Sequence, residues 1–130
     1  MKDIIIADDS SLARMFTARC LATAGYTGYT VTEAKDGQEV YALLTEKKYD
    51  LVITDLNMPE MDGLELVSRV SNVQELSGTP ILVITSAGNE EQRSELLSLG
   101  VLGVISKPIT QKDLVKALGN ILDLDGSDYA

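Results

Sequence analysis

Short apolar runs recur along the chain at Ile4–Ala7, Tyr29–Thr32, Leu51–Thr54, Ile81–Thr85 and Leu102–Ile105. They are rich in Ile and Val, and strands buried on both faces of a parallel sheet read this way. Between them lie stretches of helical spacing with readable starts and stops. Leu12–Ala24 carries Leu12, Met15, Phe16 and Cys20 at that spacing, with Ser10 or Ser11 placed to cap and Gly25 to stop. Asp36 with Glu39, and Asp62 with Glu65, have the form of capping boxes with aspartate as the cap. Asn89–Leu99 opens with Glu90 and Glu91 and ends at Gly100. Thr110 precedes a last helix, whose Leu114, Val115, Leu118, Ile121 and Leu122 are expected on one side. Five β–α units follow, so the expected fold class is α/β, a doubly wound five-stranded parallel sheet with five helices. Alternation alone leaves the strand order open.

At 130 residues the chain is expected to form one domain, over residues 1–123, with 124–130 as a short acidic tail. Twenty acids against eleven bases give a net charge of −9. Nucleic acid and anionic membrane surfaces need a positive field, so neither is an expected partner. There is no histidine and a single cysteine, Cys20. Histidine-based triads, histidine metal sites and internal disulfides are excluded at once. No apolar run reaches the ~18 residues of a membrane span. Met1-Lys2-Asp3 leads straight into Ile4-Ile5-Ile6, without the longer apolar core of a signal peptide, so a cytoplasmic protein is expected.

In an open parallel sheet, ligands bind beyond the carboxyl ends of the strands. Asp8-Asp9 ends the first strand, Asp55 the third, Thr85 the fourth and Lys107-Pro108 the fifth. Each has a plainer reading alone: the acid pair as a helix cap, Asp55 and Lys107 as solvated charges, Thr85 as a strand residue. Together at one sheet edge they are the groups that handle a phosphoryl group and a divalent cation. Pro59 and Gly63 on their own mark only a turn.

The motifs IIIADDS, DLVITDLNMPEMDG, VITSA and VISKP, in this order and spacing, resemble those of receiver domains of two-component response regulators, the chemotaxis-type single-domain kind. The likeness covers residues 2–123. It implies strand order 2-1-3-4-5, an order that is a known example for chemotaxis regulators. It implies Asp55 as the phosphoacceptor, taking the phosphoryl from a phosphohistidine of a sensor histidine kinase or phosphotransfer protein. It implies Mg²⁺ held by Asp9, Asp55 and the backbone carbonyl of Asn57, with Asp8 acting mainly through water. Thr85 and Lys107 would each contact a phosphoryl oxygen, and the Lys107-Pro108 bond would be cis. The protein would catalyse only its own phosphorylation and dephosphorylation. Output is expected by binding a partner at the face made of Asn89–Leu99, Leu102–Ile105 and the last helix.

The chemistry suits these residue types. An aspartyl oxygen attacking phosphorus brings two negative groups together, so transfer rests on positioning and charge neutralisation. Mg²⁺ takes oxygen ligands and keeps waters, and a lysine supplies a mobile point charge. The chain departs from the commonest pattern at Val104, where an aromatic is usual, and in a couple of extra residues around Thr27–Tyr29, expected only to lengthen a loop. Two other readings stand beside this one. A receiver-like interaction module would bind partners without phosphorylation. A phosphatase with an aspartyl-phosphate intermediate would need an acid two residues after its nucleophile, where this chain has Asn57. Neither a P-loop nor a G-x-G-x-x-G stretch is present.

Overall fold

The structure, a computed structural model, describes residues 2–86 and 90–119. Five strands, β1 (Lys2–Ala7), β2 (Tyr29–Ala34), β3 (Leu51–Asp55), β4 (Ile81–Thr85) and β5 (Gly103–Ser106), alternate with five helices. These are α1 (Ser11–Thr23), α2 (Gly37–Glu46), α3 (Gly63–Ser71), α4 (Glu90–Ser98) and α5 (Gln111–Leu118). The strands form one parallel sheet in the order β2-β1-β3-β4-β5, as the resemblance implied. The expected helix start at Asn89, the apolar pair Ile121 and Leu122, and the tail at 124–130 lie outside the described residues. No helix among the described residues is long and apolar enough to cross a membrane.

Alternate strand residues feed two cores. Ile5, Val52, Val83 and Val104 pack with Val40, Leu66, Val67 and Leu96 of α2, α3 and α4. Ile4, Ile6, Ile53, Leu82 and Ile84 pack with Leu21, Leu114 and Leu118 of α1 and α5. Period-two side-chain direction divides each strand between the two layers. The central strands β3 and β4 are buried along their whole length.

Burial refines three of the sequence readings. Leu12, Met15 and Phe16 of α1 are not core residues: they are 74%, 56% and 50% exposed, and Thr17 and Leu21 face inward instead. The helix is apolar on two sides, so periodicity alone does not choose which side meets the sheet. Val115 of α5 is likewise exposed, while Leu114 and Leu118 are buried. Finally, β2 is an edge strand in which only Ala34 is buried.

The caps form largely as read. Ser10, Asp36, Asp62 and Thr110 each accept a backbone N–H from three residues on. Among the described caps only that of α5 closes a full box, with Asp113 accepting from the Thr110 N–H. Glu39 instead accepts from the Lys35 N–H at 2.8 Å, and Glu65 pairs with Arg69.

Candidate functional site at the carboxyl edge of the sheet

The register brings the ends of β1, β3, β4 and β5 to one edge, and each end delivers one polar group. Ala7 of β1 pairs with Thr54 of β3, so Asp8 and Asp55 emerge side by side. Both are buried, whereas Asp9, the next residue, is exposed. Carboxylate oxygens of Asp8, Asp9 and Asp55 lie within 4.8 Å of one another. Thr85 ends β4 and is 1% exposed. Its carbonyl accepts the Lys107 N–H at 2.8 Å, which fixes the start of the lysine's path back over the edge. The Lys107–Pro108 peptide is cis.

Lys107 reaches between two acids. Its Nζ donates to Asp8 Oδ2 at 3.1 Å and forms an ion pair with Asp55 Oδ1 at 3.5 Å. The second Asp8 oxygen accepts the Ser10 N–H at 2.9 Å. Asp55 Oδ1 is buried and accepts no hydrogen bond among the described residues. Burial, and then the charge of Asp8, push the Asp55 carboxyl above its ordinary value, against the pull of Lys107. For Lys107, burial opposes the charge, but the hydrogen bond to Asp8 and the charges of Asp55 and Asp8 overcome it and hold the ammonium above its ordinary value. The site is therefore an under-neutralised acid cluster with one cation already inside it.

Such a set fits a hard divalent cation. Three carboxylates converge, every available donor is oxygen, and one buried oxygen lacks a hydrogen bond. Asp8, Asp9 and Asp55 are the residues that could hold it. Asn57 lies exposed in the turn that follows β3.

Two features of the site escaped sequence reasoning. Gly63 does more than mark a turn. A Cβ there would meet the Asp55 carbonyl oxygen at 2.8 Å and the Leu56 Cα at 2.9 Å, so α3 packs directly beneath the candidate acceptor. Its N–H also bonds the Leu56 carbonyl at 2.8 Å. A glycine following an aspartate cap was the available signal, though it does not specify a close approach. Arg14 of α1 is the other: it reaches the backbone of the acid pair, and its place in a helix one turn on from Ser10 does not announce this.

Comparison with known proteins agrees with this geometry. The response regulator receiver domain matches residues 4–119. The chain is 35% identical to chemotaxis protein CheY-3 of Vibrio cholerae over 120 residues, 92% of this chain and 91% of that protein. It is 36% identical to a CheY homolog of Campylobacter jejuni over 128 residues, 98% and 97% of the two chains. Among solved structures, CheY4 of Vibrio cholerae superposes with a TM-score of 0.78 at 34% identity, covering 94% of this chain and 99% of that one. The Mn(2+)-bound form of response regulator Rcp1 does so with a TM-score of 0.76 at 25% identity, covering 93% and 91%. A match to the family over residues 4–119 and likeness over nearly the whole of both lengths leave one assignment: the chain belongs to the response regulator receiver family of two-component signalling.

Proposed function

We propose that Asp55 is the phosphoacceptor of a stand-alone response regulator, occupying residues 1–123, that signals by binding a partner once phosphorylated. The observation that carries this reading is the buried Asp55 oxygen without a hydrogen bond, between Asp8 and the Lys107 ammonium. An oxygen left unsatisfied in a polar pocket is available as a nucleophile or ligand. A carboxylate oxygen of Asp55 attacks phosphorus as the P–N bond to a donor phosphohistidine breaks, and the leaving imidazole takes a proton from solvent. The donor is a sensor histidine kinase or phosphotransfer protein.

Mg²⁺ held by Asp9, Asp55 and the Asn57 carbonyl, with Asp8 acting mainly through water, would neutralise the charge that otherwise keeps two anionic reactants apart. The existence of a Mn(2+)-bound form of the similar response regulator Rcp1 supports a divalent cation for this chain as well. Lys107 swings its ammonium from between Asp8 and Asp55 onto a phosphoryl oxygen, and the Thr85 hydroxyl donates to another. Loss of the phosphoryl by hydrolysis resets the site, so the protein catalyses only its own modification. With Val104 where the family usually has an aromatic, coupling runs mainly through Thr85. Arg93 of α4 already donates to the Val104 carbonyl at 2.7 Å, a direct tie between α4 and β5. Output then leaves through α4, β5 and α5, where Leu97 and Val115 are exposed. The setting is the cytoplasm.

The test is incubation with Mg²⁺ and a small phosphodonor, followed by intact-mass measurement. One added phosphoryl that maps to Asp55, absent in Asp55→Asn, is the expected result. Phosphoryl on Ser10, Ser11 or Thr85 overturns the assignment. No added mass points to an interaction module, and steady phosphate release from an unrelated ester points to a phosphatase.

A further inference from the structure

Two of the three clustered carboxylates are anchored by other groups, and one is not. Asp8 is tied by Lys107 and the Ser10 N–H, and Asp55 is buried at the end of a central strand beside Lys107. Asp9 is exposed, and its carboxylate has no partner among the described residues. Its place in the cluster therefore depends on the backbone of the turn that carries it, between the last residue of β1 and the Ser10 cap of α1.

Arg14 holds that turn from the side. Its Nη1 donates to the Asp8 carbonyl at 2.6 Å, and that oxygen belongs to the peptide joining Asp8 to Asp9. Its Nε donates to Glu33 Oε1 at 2.7 Å, on the neighbouring strand β2. The guanidinium side chain is 17% exposed and Glu33 58%. Two further bonds close the frame: the Asp8 N–H reaches the Ala34 carbonyl at 3.0 Å, and the Arg14 N–H reaches the Ser10 carbonyl, also at 3.0 Å. A planar fork can satisfy two acceptors in fixed directions, which an ammonium cannot do. We propose that Arg14, braced by Glu33, is a positioning residue that orients the Asp8–Asp9 peptide and so places the Asp9 carboxylate for the divalent cation.

The inference rests on the metal reading of Asp8, Asp9 and Asp55. It makes a prediction opposite in sign to simple electrostatics. Arg14 is a cation beside a cation site, so by charge alone its removal tightens metal binding. Loss of positioning instead loosens it, because partners outside the coordination shell typically set metal affinity by tenfold or more.

The experiment is titration of the full chain with Mn²⁺, without phosphodonor, reading free Mn²⁺ by electron paramagnetic resonance. Melting curves of the metal-free proteins run in parallel. Arg14→Ala is expected to bind Mn²⁺ about tenfold more weakly. Arg14→Lys, which keeps the charge but loses the fork, is expected to restore little of this. Glu33→Ala, a change at an exposed side chain, is expected to weaken binding about two- to fivefold, and it carries the test if Arg14→Ala does not fold. Arg69→Ala, which breaks an exposed pair on α3, should leave affinity unchanged. Unchanged or tighter binding in Arg14→Ala, or full rescue by lysine, overturns the proposal, whatever happens to the melting temperature. If the parent binds no Mn²⁺, the metal reading itself has failed, and the role of Arg14 falls with it.

Discussion

Replacing Asp55 by asparagine removes a charge while keeping its shape. Asp8 lies within 4.8 Å of Asp55, so their repulsion is about 3 kcal/mol at an effective dielectric of 20. Asp9 adds less than about 1 kcal/mol because it is exposed and water screens it. Burying the ion costs several kcal/mol more even after relaxation. Against this stands Lys107 at 3.5 Å, an attraction of about 5 kcal/mol at the same dielectric. A lysine that is 34% exposed realises only part of that figure. The balance favours the amide by about 1–3 kcal/mol. Asp8 is the poorer choice for this test, since it accepts from both Lys107 and Ser10. The assay is thermal or urea unfolding of the metal-free proteins from pH 3.5 to 8. At neutral pH, Asp55→Asn should melt roughly 3–10 °C higher. The sign of the pH dependence follows from a carboxyl pKa raised in the folded state. The contribution of this carboxyl to the parent's stability is fully present below the ordinary value of 3.8 and is lost as pH climbs through the raised folded value. The advantage of the variant should thus be absent at the acid end, grow through that window and then level off. Millimolar Mg²⁺ should narrow the gap by stabilising the parent. A variant less stable than the parent at pH 7, or an advantage independent of pH, would refute the reasoning.

Lys107→Ala removes the cation already within the acid cluster and should tighten Mg²⁺ binding severalfold in calorimetric titration, while impairing the response to phosphorylation. Gly63→Ala should cost about 1–3 kcal/mol in urea unfolding and slow phosphoryl uptake, because its Cβ has to displace the Asp55 carbonyl or the Leu56 backbone. Thr85→Ala should still gain the phosphoryl mass but lose the phosphorylation-dependent change in amide exchange across α4, whereas Val104→Ala should keep that change. The reverse pattern would show that Val104, not Thr85, carries the signal.

Much of this molecule is legible in one dimension. Apolar runs a few residues long, separated by helical stretches with cap and stop residues, determine an α/β alternation, because backbone period and burial act locally. Chain order then places Asp8, Asp9, Asp55, Thr85 and Lys107 at or just beyond the carboxyl ends of strands of one parallel sheet, and parallel strands share a carboxyl edge. What the tertiary structure alone decided concerns which neighbour each group meets. Helical spacing put Leu12, Met15 and Phe16 on a face, but only packing against the sheet showed that Thr17 and Leu21 are the inward residues. No spacing tells that Lys107 bonds Asp8 more closely than Asp55, nor that burial outweighs Lys107 at Asp55. The close fit of Gly63 beneath Asp55 depends on the angle at which α3 leaves its loop. Arg14 and Glu33 are nineteen residues apart and meet only because β2 lies beside β1. Sequence determines the periodicities and the order of groups, since these are properties of neighbours along the chain. Distances, dielectric and the direction of a hydrogen bond belong to neighbours in space, and they exist only once the sheet has closed.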